Sequence, residues 1–297
     1  MTEVWRALLD DARRRLRSEV DARRIIERAS GREGAELALV LDEPAPGPAA
    51  GHARDMVARR AAGEPLQYVV GRWGFRGLDL YVDRRVLIPR PETEVVVDVA
   101  LSFFVGLPRV GRATSTMNGV GGQGRAGAPV AVDLGTGSGA IALALAVELP
   151  TAEVWGTDRS EDALAVARAN LAGIGRAASR VRLVAGEWFD ALPAGLRGGV
   201  DLVVANPPYV AEGEALPAEV ADWEPPAALF AGPTGLEAIA LIVEEAPAWL
   251  TPATGVLVCE IAPHQSGAVL DVAHAAGFTA ADVRPDLAGR ARVLVAR

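Results

Sequence analysis

Val130-Ala131-Val132-Asp133-Leu134-Gly135-Thr136-Gly137-Ser138-Gly139 decides how this chain folds. The first five residues read as a buried strand. Three glycines then turn the chain into the helical stretch Ala140 to Glu148. Glycine at such a turn lets the backbone approach a ligand closely. Downstream, strands are expected at Glu153 to Thr157, Val181 to Ala185, Val200 to Ala205 and Gly255 to Ile261, with closing strands at Phe278 to Val283 and Ala291 to Ala296. Helices are expected at Glu161 to Leu171, with Ser160 as N-cap, and at Gly235 to Leu250 and Gln265 to Ala276. Strands alternating with helices imply an α/β fold around a largely parallel sheet covered on both faces.

The fourth strand ends at Asn206-Pro207-Pro208-Tyr209. Two prolines cannot continue a sheet ladder, and the residue before a proline is pushed out of helical geometry. The result is a stiff elbow at a strand's C-terminal end, the edge where open α/β sheets bind ligands. Its chemistry suits a planar –NH2 group. The Asn206 side-chain oxygen and the Pro207 carbonyl can each accept one N–H, and the Tyr209 ring can lie against the flat face. Holding both N–H bonds turns the nitrogen lone pair toward an electrophile. The plain alternative for the tetrapeptide alone is a strand-ending turn with a solvent-facing Asn.

The glycine loop by itself is ambiguous. Gly135, Gly137 and Ala140 also fit the dinucleotide fingerprint, and Asp158, at the end of the second strand, would suit the ribose of NAD as well as another ribose. An NAD-dependent oxidoreductase therefore competes. Asp133 shifts the balance, because a carboxylate there would repel a pyrophosphate but could hold an ammonium. The elbow has no use in a dehydrogenase. S-adenosylmethionine offers a ribose, an adenine, an ammonium and an electrophilic methyl.

Upstream, residues 1–63 read as helical: Trp5, Leu8, Leu9, Ala12 and Leu16 recur at helical spacing, Val20 to Ala29 stops at Gly31, Gly34 to Leu41 forms a third helix, and His52 to Ala62 follows a Pro-rich loop at 44–48. A helical domain is set at 1–70 and a hairpin linker at 71–90. The second domain spans 91–297, with Pro91 opening a helix and a Gly-rich flexible insertion at 106–129.

The chain has 297 residues, half of them hydrophobic, a net charge of −8 and no lysine. That acidity argues against a nucleic-acid surface. Cys259 is the single cysteine, and the three histidines lack metal-ligand spacing, so no metal is expected. No secretory leader or membrane span is evident, and a cytoplasmic monomer is expected.

Taken together, the loop from Asp133 to Gly139, Asp158 and the elbow resemble class I, Rossmann-like S-adenosylmethionine-dependent methyltransferases acting on amide or exocyclic nitrogen. Adenine-N6 methyltransferases of nucleic acids share the tetrapeptide. The chain is more similar to the release-factor glutamine-N5 methyltransferases. That resemblance extends through Gly63-Glu64-Pro65-Leu66-Gln67-Tyr68, Leu87-Ile88-Pro89-Arg90-Pro91-Glu92-Thr93-Glu94, Glu224-Pro225 and Gly235-Leu236. It implies that Gly135, Thr136, Gly137, Ser138 and Gly139 wrap the methionine part of S-adenosylmethionine, that Asp158 binds its ribose, and that Trp188 lies by its adenine. It also implies that Asn206, Pro207, Pro208 and Tyr209 hold the glutamine amide of a Gly-Gly-Gln motif in a peptide chain release factor. The helical domain would dock that partner. Glu187 departs from the aspartate common in the family. Gly121-Gly122-Gln123, inside the insertion, repeats the substrate motif, and chance within a Gly-rich stretch accounts for it.

Overall fold

The computed structural model describes residues 3–104 and 127–297. Most of the insertion expected at 106–129, including Gly121-Gly122-Gln123, lies outside the described residues. The chain divides into two compact units.

The first unit runs to Trp73 and also takes in Val82–Arg84 and Ala215–Glu224. Its helices are α1 (Trp5–Leu16), α2 (Glu19–Ser30), α3 (Ala35–Val40), α4 (Gly47–Ala61) and α5 (Leu66–Val70). The helical spacing read from the sequence is the buried stripe: Trp5, Leu8, Leu9 and Ala12 pack with Ile25, Ile26, Met56 and Val57. Ser18 caps α2 by accepting from the Asp21 N–H at 3.1 Å, and Gly31 ends it in the left-handed region. Two details differ from expectation. α4 begins at Gly47, inside the stretch read as a loop, because Pro48 sits in the first turn, where its missing N–H has no intrahelical partner to lose. α5 was not expected at all; five residues are too few for periodicity to show. Ala215–Glu224 belongs to this unit through Arg60, which binds Asp21 at 2.6 Å and Glu219 at 2.8 Å, and through Arg84, stacked 4.2 Å above the Trp223 ring.

A hairpin, β1 (Trp73–Phe75) and β2 (Leu78–Leu80), turns at Arg76 and Gly77, both with positive φ. In the second unit, α6 (Pro91–Phe104) is followed by β3 (Val130–Leu134), α7 (Ala140–Glu148), β4 (Glu153–Asp158), α8 (Glu161–Leu171), β5 (Val181–Ala185) and β6 (Leu202–Ala205). β7 (Val210–Ala211) and β8 (Phe230–Gly232) form a small parallel pair, on either side of α9 (Ala218–Ala221) in sequence. Then come α10 (Glu237–Trp249), β9 (Val256–Glu260), α11 (Ser266–Ala275), β10 (Ala281–Pro285) and β11 (Ala291–Ala296).

Among the described residues the main sheet has seven strands in the order β10-β11-β9-β6-β3-β4-β5. β5, β4, β3, β6 and β9 pair in parallel. β10 and β11 are antiparallel, because a loop of five residues joins them and a parallel crossover needs many more. Alternation within β3 sends Ala131 to the face covered by α6 and α7, and Val130, Val132 and Leu134 to the face covered by α10 and α11. Strand order reverses between β3 and β6: β4 lies on one side and β9 on the other. Such a switch point leaves a crevice beyond the strands' C-terminal ends. The glycine loop follows β3 and the elbow follows β6, so both flank that crevice.

Candidate active site

A cavity of about 280 Å³ occupies this position in the second unit. The glycine loop forms one wall. Gly135, Gly137 and Gly139 all have positive φ, at 71°, 54° and 85°. The loop is braced from below: Asp133 Oδ2 accepts from Thr136 Oγ1 at 2.6 Å and from the Ala142 N–H at 3.0 Å. Gly135, Thr136, Gly137 and Ser138 line the cavity. A Cβ at Gly135 would stand 3.1 Å from the Trp188 ring, so this glycine admits the indole. Trp188 itself lines the cavity and holds a positive φ of 43°.

Asp158 ends β4 in the same wall. Its Oδ2 accepts from the Gly137 N–H at 2.8 Å and its Oδ1 from the Ser160 N–H at 2.9 Å. These bonds fix the carboxylate while leaving lone pairs on both oxygens. Burial raises its pKa above the ordinary range. Glu187 is exposed at the rim, 3.5 Å from Arg159.

At the opposite wall stand Asn206 and Pro208. Asn206 Nδ2 donates to Thr93 Oγ1 at 3.2 Å, and Thr93 Oγ1 donates to Glu260 Oε2 at 2.7 Å. Within the described residues no hydrogen bond engages Asn206 Oδ1. The elbow's backbone is clamped by Gln265, whose Nε2 donates to the carbonyls of Tyr209 at 3.1 Å and Gly235 at 2.9 Å.

Three residues expected at the site take other places. Asp133 is fully buried beneath the loop, where the strand's alternation turns it toward α7; it does not line the cavity. Among the described residues its Oδ1 has no hydrogen-bond partner, and desolvation pushes its carboxyl up to about 7. Gly139 faces the protein interior: a Cβ there would meet Leu143 at 3.2 Å and Ala167 at 3.4 Å, so it serves helix packing. Pro207 is buried. Tyr209 turns away and lines a second, smaller cavity with Arg90, Glu92, Glu260 and Arg292. Its hydroxyl lies 3.5 Å from Glu260 Oε1, and burial beside that carboxyl pushes it up to about 12. Thr93, Glu260 and Gln265 were not singled out from sequence as site residues. The one signal was Glu260, a carboxylate closing the otherwise apolar run from Val256 to Cys259.

Residues 5–71 match the family described as PrmC N-terminal domain, and residues 125–222 match the Methyltransferase small domain. The chain is 40% identical over 280 residues to a release factor glutamine methyltransferase of Cereibacter sphaeroides, covering 93% of this chain and 90% of that one. It is 39% identical over 273 residues to the protein of the same description from Burkholderia pseudomallei, covering 91% and 88%. Among solved structures, the hMettl16 catalytic domain in complex with a MAT2A 3'UTR hairpin superposes with a TM-score of 0.55 at 14% identity, over 84% of this chain and 79% of that one. The N-terminal domain of human METTL16 in complex with SAH gives 0.50 at 16% identity, over 82% of each chain. At those identities the likeness speaks to the fold alone: the second unit has the α/β class I methyltransferase fold.

Proposed function

The chain belongs to the release factor glutamine methyltransferase family, and from that premise we propose that it methylates the side-chain amide nitrogen of a release-factor glutamine at the cavity between the glycine loop and the elbow. The observation that carries this reading is the anchoring of Asn206. With Nδ2 committed to Thr93, the acceptor oxygen is the end of the amide left to meet a substrate –NH2 group. The relatives' common description favours this over adenine-N6 methylation and over hydride transfer to a nicotinamide cofactor.

The lining fits S-adenosylmethionine. Bare backbone at Gly135 and Gly137 gives room, Trp188 offers a flat apolar face for an adenine, and Asp158 presents lone pairs for ribose hydroxyls. When bound, S-adenosylmethionine supplies an electrophilic sulfonium methyl. The chain's own contribution is orientation. Asn206 Oδ1 and the Pro207 carbonyl each accept one N–H of the glutamine amide, and Pro208 closes the wall beside it. An amide lone pair is delocalised, so holding both N–H bonds while pointing the nitrogen at its target is where such a site gains rate.

The test is to incubate the protein with methyl-labelled S-adenosylmethionine and either a full-length release factor or duplex DNA. Label on the glutamine of Gly-Gly-Gln is expected. Label on adenine, or none on the release factor, overturns the reading.

A further inference from the structure

Glu260 is a carboxylic acid with 1% of its surface exposed, at the end of an apolar strand. Packing does not ask for it there, since burying a carboxylate is costly unless its bonds compensate. Its two oxygens meet two hydroxyls, Thr93 at 2.7 Å and Tyr209 at 3.5 Å. Thr93, itself 3% exposed, lies between Glu260 and Asn206.

The polarity of this chain of bonds follows from counting protons. A carboxylate only accepts, so the single Thr93 proton is spent on Glu260 Oε2. Thr93 Oγ1 then has only lone pairs to offer Asn206. The Asn206 nitrogen must face Thr93, and the oxygen is left for the cavity. A protonated Glu260 removes the constraint. It can donate to Thr93, Thr93 can donate to Asn206, and the amide can turn over to present –NH2 where two N–H donors of the substrate should bind.

We infer that Glu260 and Thr93 form a directional hydrogen-bond relay that sets which end of the Asn206 amide faces the cavity, which makes both of them positioning residues for methyl transfer. The inference rests on the reading of the elbow given above. It extends that reading to two side chains that do not touch the substrate.

Glu260 is built to titrate within reach of neutrality. Burial pushes it up to about 7, opposed by the Thr93 and Tyr209 bonds and by Arg292 on β11. The other groups facing it are Glu92 in the first turn of α6, Arg90 just before that helix and its neighbour Cys259. Glu92 is held below the usual range, and the Tyr209 hydroxyl and Cys259 thiol are raised, so none of these titrates near 7. Outside the relay, Asp133 is also pushed up to about 7. A substitution at Glu260 separates the two.

Two measurements test the relay. In the wild-type protein the Asn206 side-chain amide resonances, assigned by their loss in Asn206→Ala, are followed by NMR from pH 5.5 to 8.5. They are expected to shift with a midpoint near 7, and to lose that titration in Glu260→Gln. Resonances that stay flat in the wild type, or titrate unchanged in Glu260→Gln, overturn the relay. In the methyl-transfer assay, Thr93→Ser should keep kcat within about twofold. Thr93→Val should lower kcat by about 10- to 100-fold at nearly constant KM for S-adenosylmethionine, the scale on which misorientation acts. Glu260→Gln should lower kcat and abolish the acidic limb near pH 7. Thr93→Val with wild-type kcat, or an acidic limb unchanged in Glu260→Gln, also overturns it. Wild-type protein that transfers no methyl to a release factor contradicts the functional reading instead, and the NMR titration then still decides the relay.

Discussion

Gly235→Ala should displace the elbow without touching the glycine loop. Gly235 has φ +78°, and a Cβ built there would lie 2.6 Å from the Tyr209 carbonyl oxygen and 3.1 Å from the Ala211 nitrogen. Ordinary contact begins at 3.4 Å, so the Tyr209 carbonyl and the Gly235 loop must separate by about 0.8 Å. Two penalties therefore act. The left-handed backbone costs about 1–2 kcal/mol for a residue with a Cβ. The overlap adds about 1–3 kcal/mol of overpacking. Gly289 separates them: its φ is +79°, but among the described residues no atom beyond its chain neighbours lies within 4 Å of its Cβ position. Gly289→Ala should carry the first penalty alone, and the loss of unfolded-chain freedom that Ala brings is common to both. In urea unfolding, Gly235→Ala should be about 1–3 kcal/mol less stable than Gly289→Ala. Methyl transfer should fall by about 10- to 100-fold in kcat for Gly235→Ala, because sub-ångström misplacement of an orienting group acts on that scale. Gly289→Ala should keep wild-type kcat, and calorimetry should give all three proteins similar affinity for S-adenosylmethionine. Equal stabilities for the two variants, with unchanged kcat in Gly235→Ala, would refute the argument that this glycine positions the elbow.

Asn206→Ala should nearly abolish turnover while leaving cofactor affinity close to wild type, since its oxygen orients the substrate alone; normal turnover would remove Asn206 from the mechanism. Asp158→Ala should weaken S-adenosylmethionine binding by about 1.5–3 kcal/mol, the range for hydrogen bonds to a charged group, and calorimetry showing unchanged affinity would contradict its assignment to the ribose. Asp133→Asn should become relatively more stable as pH rises. The folded-state pKa of Asp133 is about 7 against an ordinary 3.8, so the wild type loses stability as pH rises from about 4 to 7 and the isostere does not. A melting-temperature difference between the two proteins that stays constant from pH 5 to 8 would show that Asp133 does not titrate in this window.

The sequence alone determined the order of the seven main-sheet strands and the helices between them, the glycine loop and the strand-ending elbow, because each is written in a local code, whereas the short elements β7, α9 and β8 carry no such signal. Alternating and helical periodicities, Gly at a turn and Pro at a strand end all act within a few residues of themselves. What tertiary structure decided is whatever depends on facing. Asp133 and Gly139 sit in the same motif as Gly135 and Gly137, yet strand alternation and helix packing turn them inward. Tyr209 belongs to the elbow, but its hydroxyl goes to Glu260. Thr93 and Asn206 are 113 residues apart and Thr93 and Glu260 are 167 apart, so no spacing rule connects them. Likewise Ala215–Glu224, ten residues inside the domain expected at 91–297, belong to the helical unit. A parallel sheet brings the ends of strands distant in sequence to one edge. Thr93, Glu260 and Asn206 become neighbours only there.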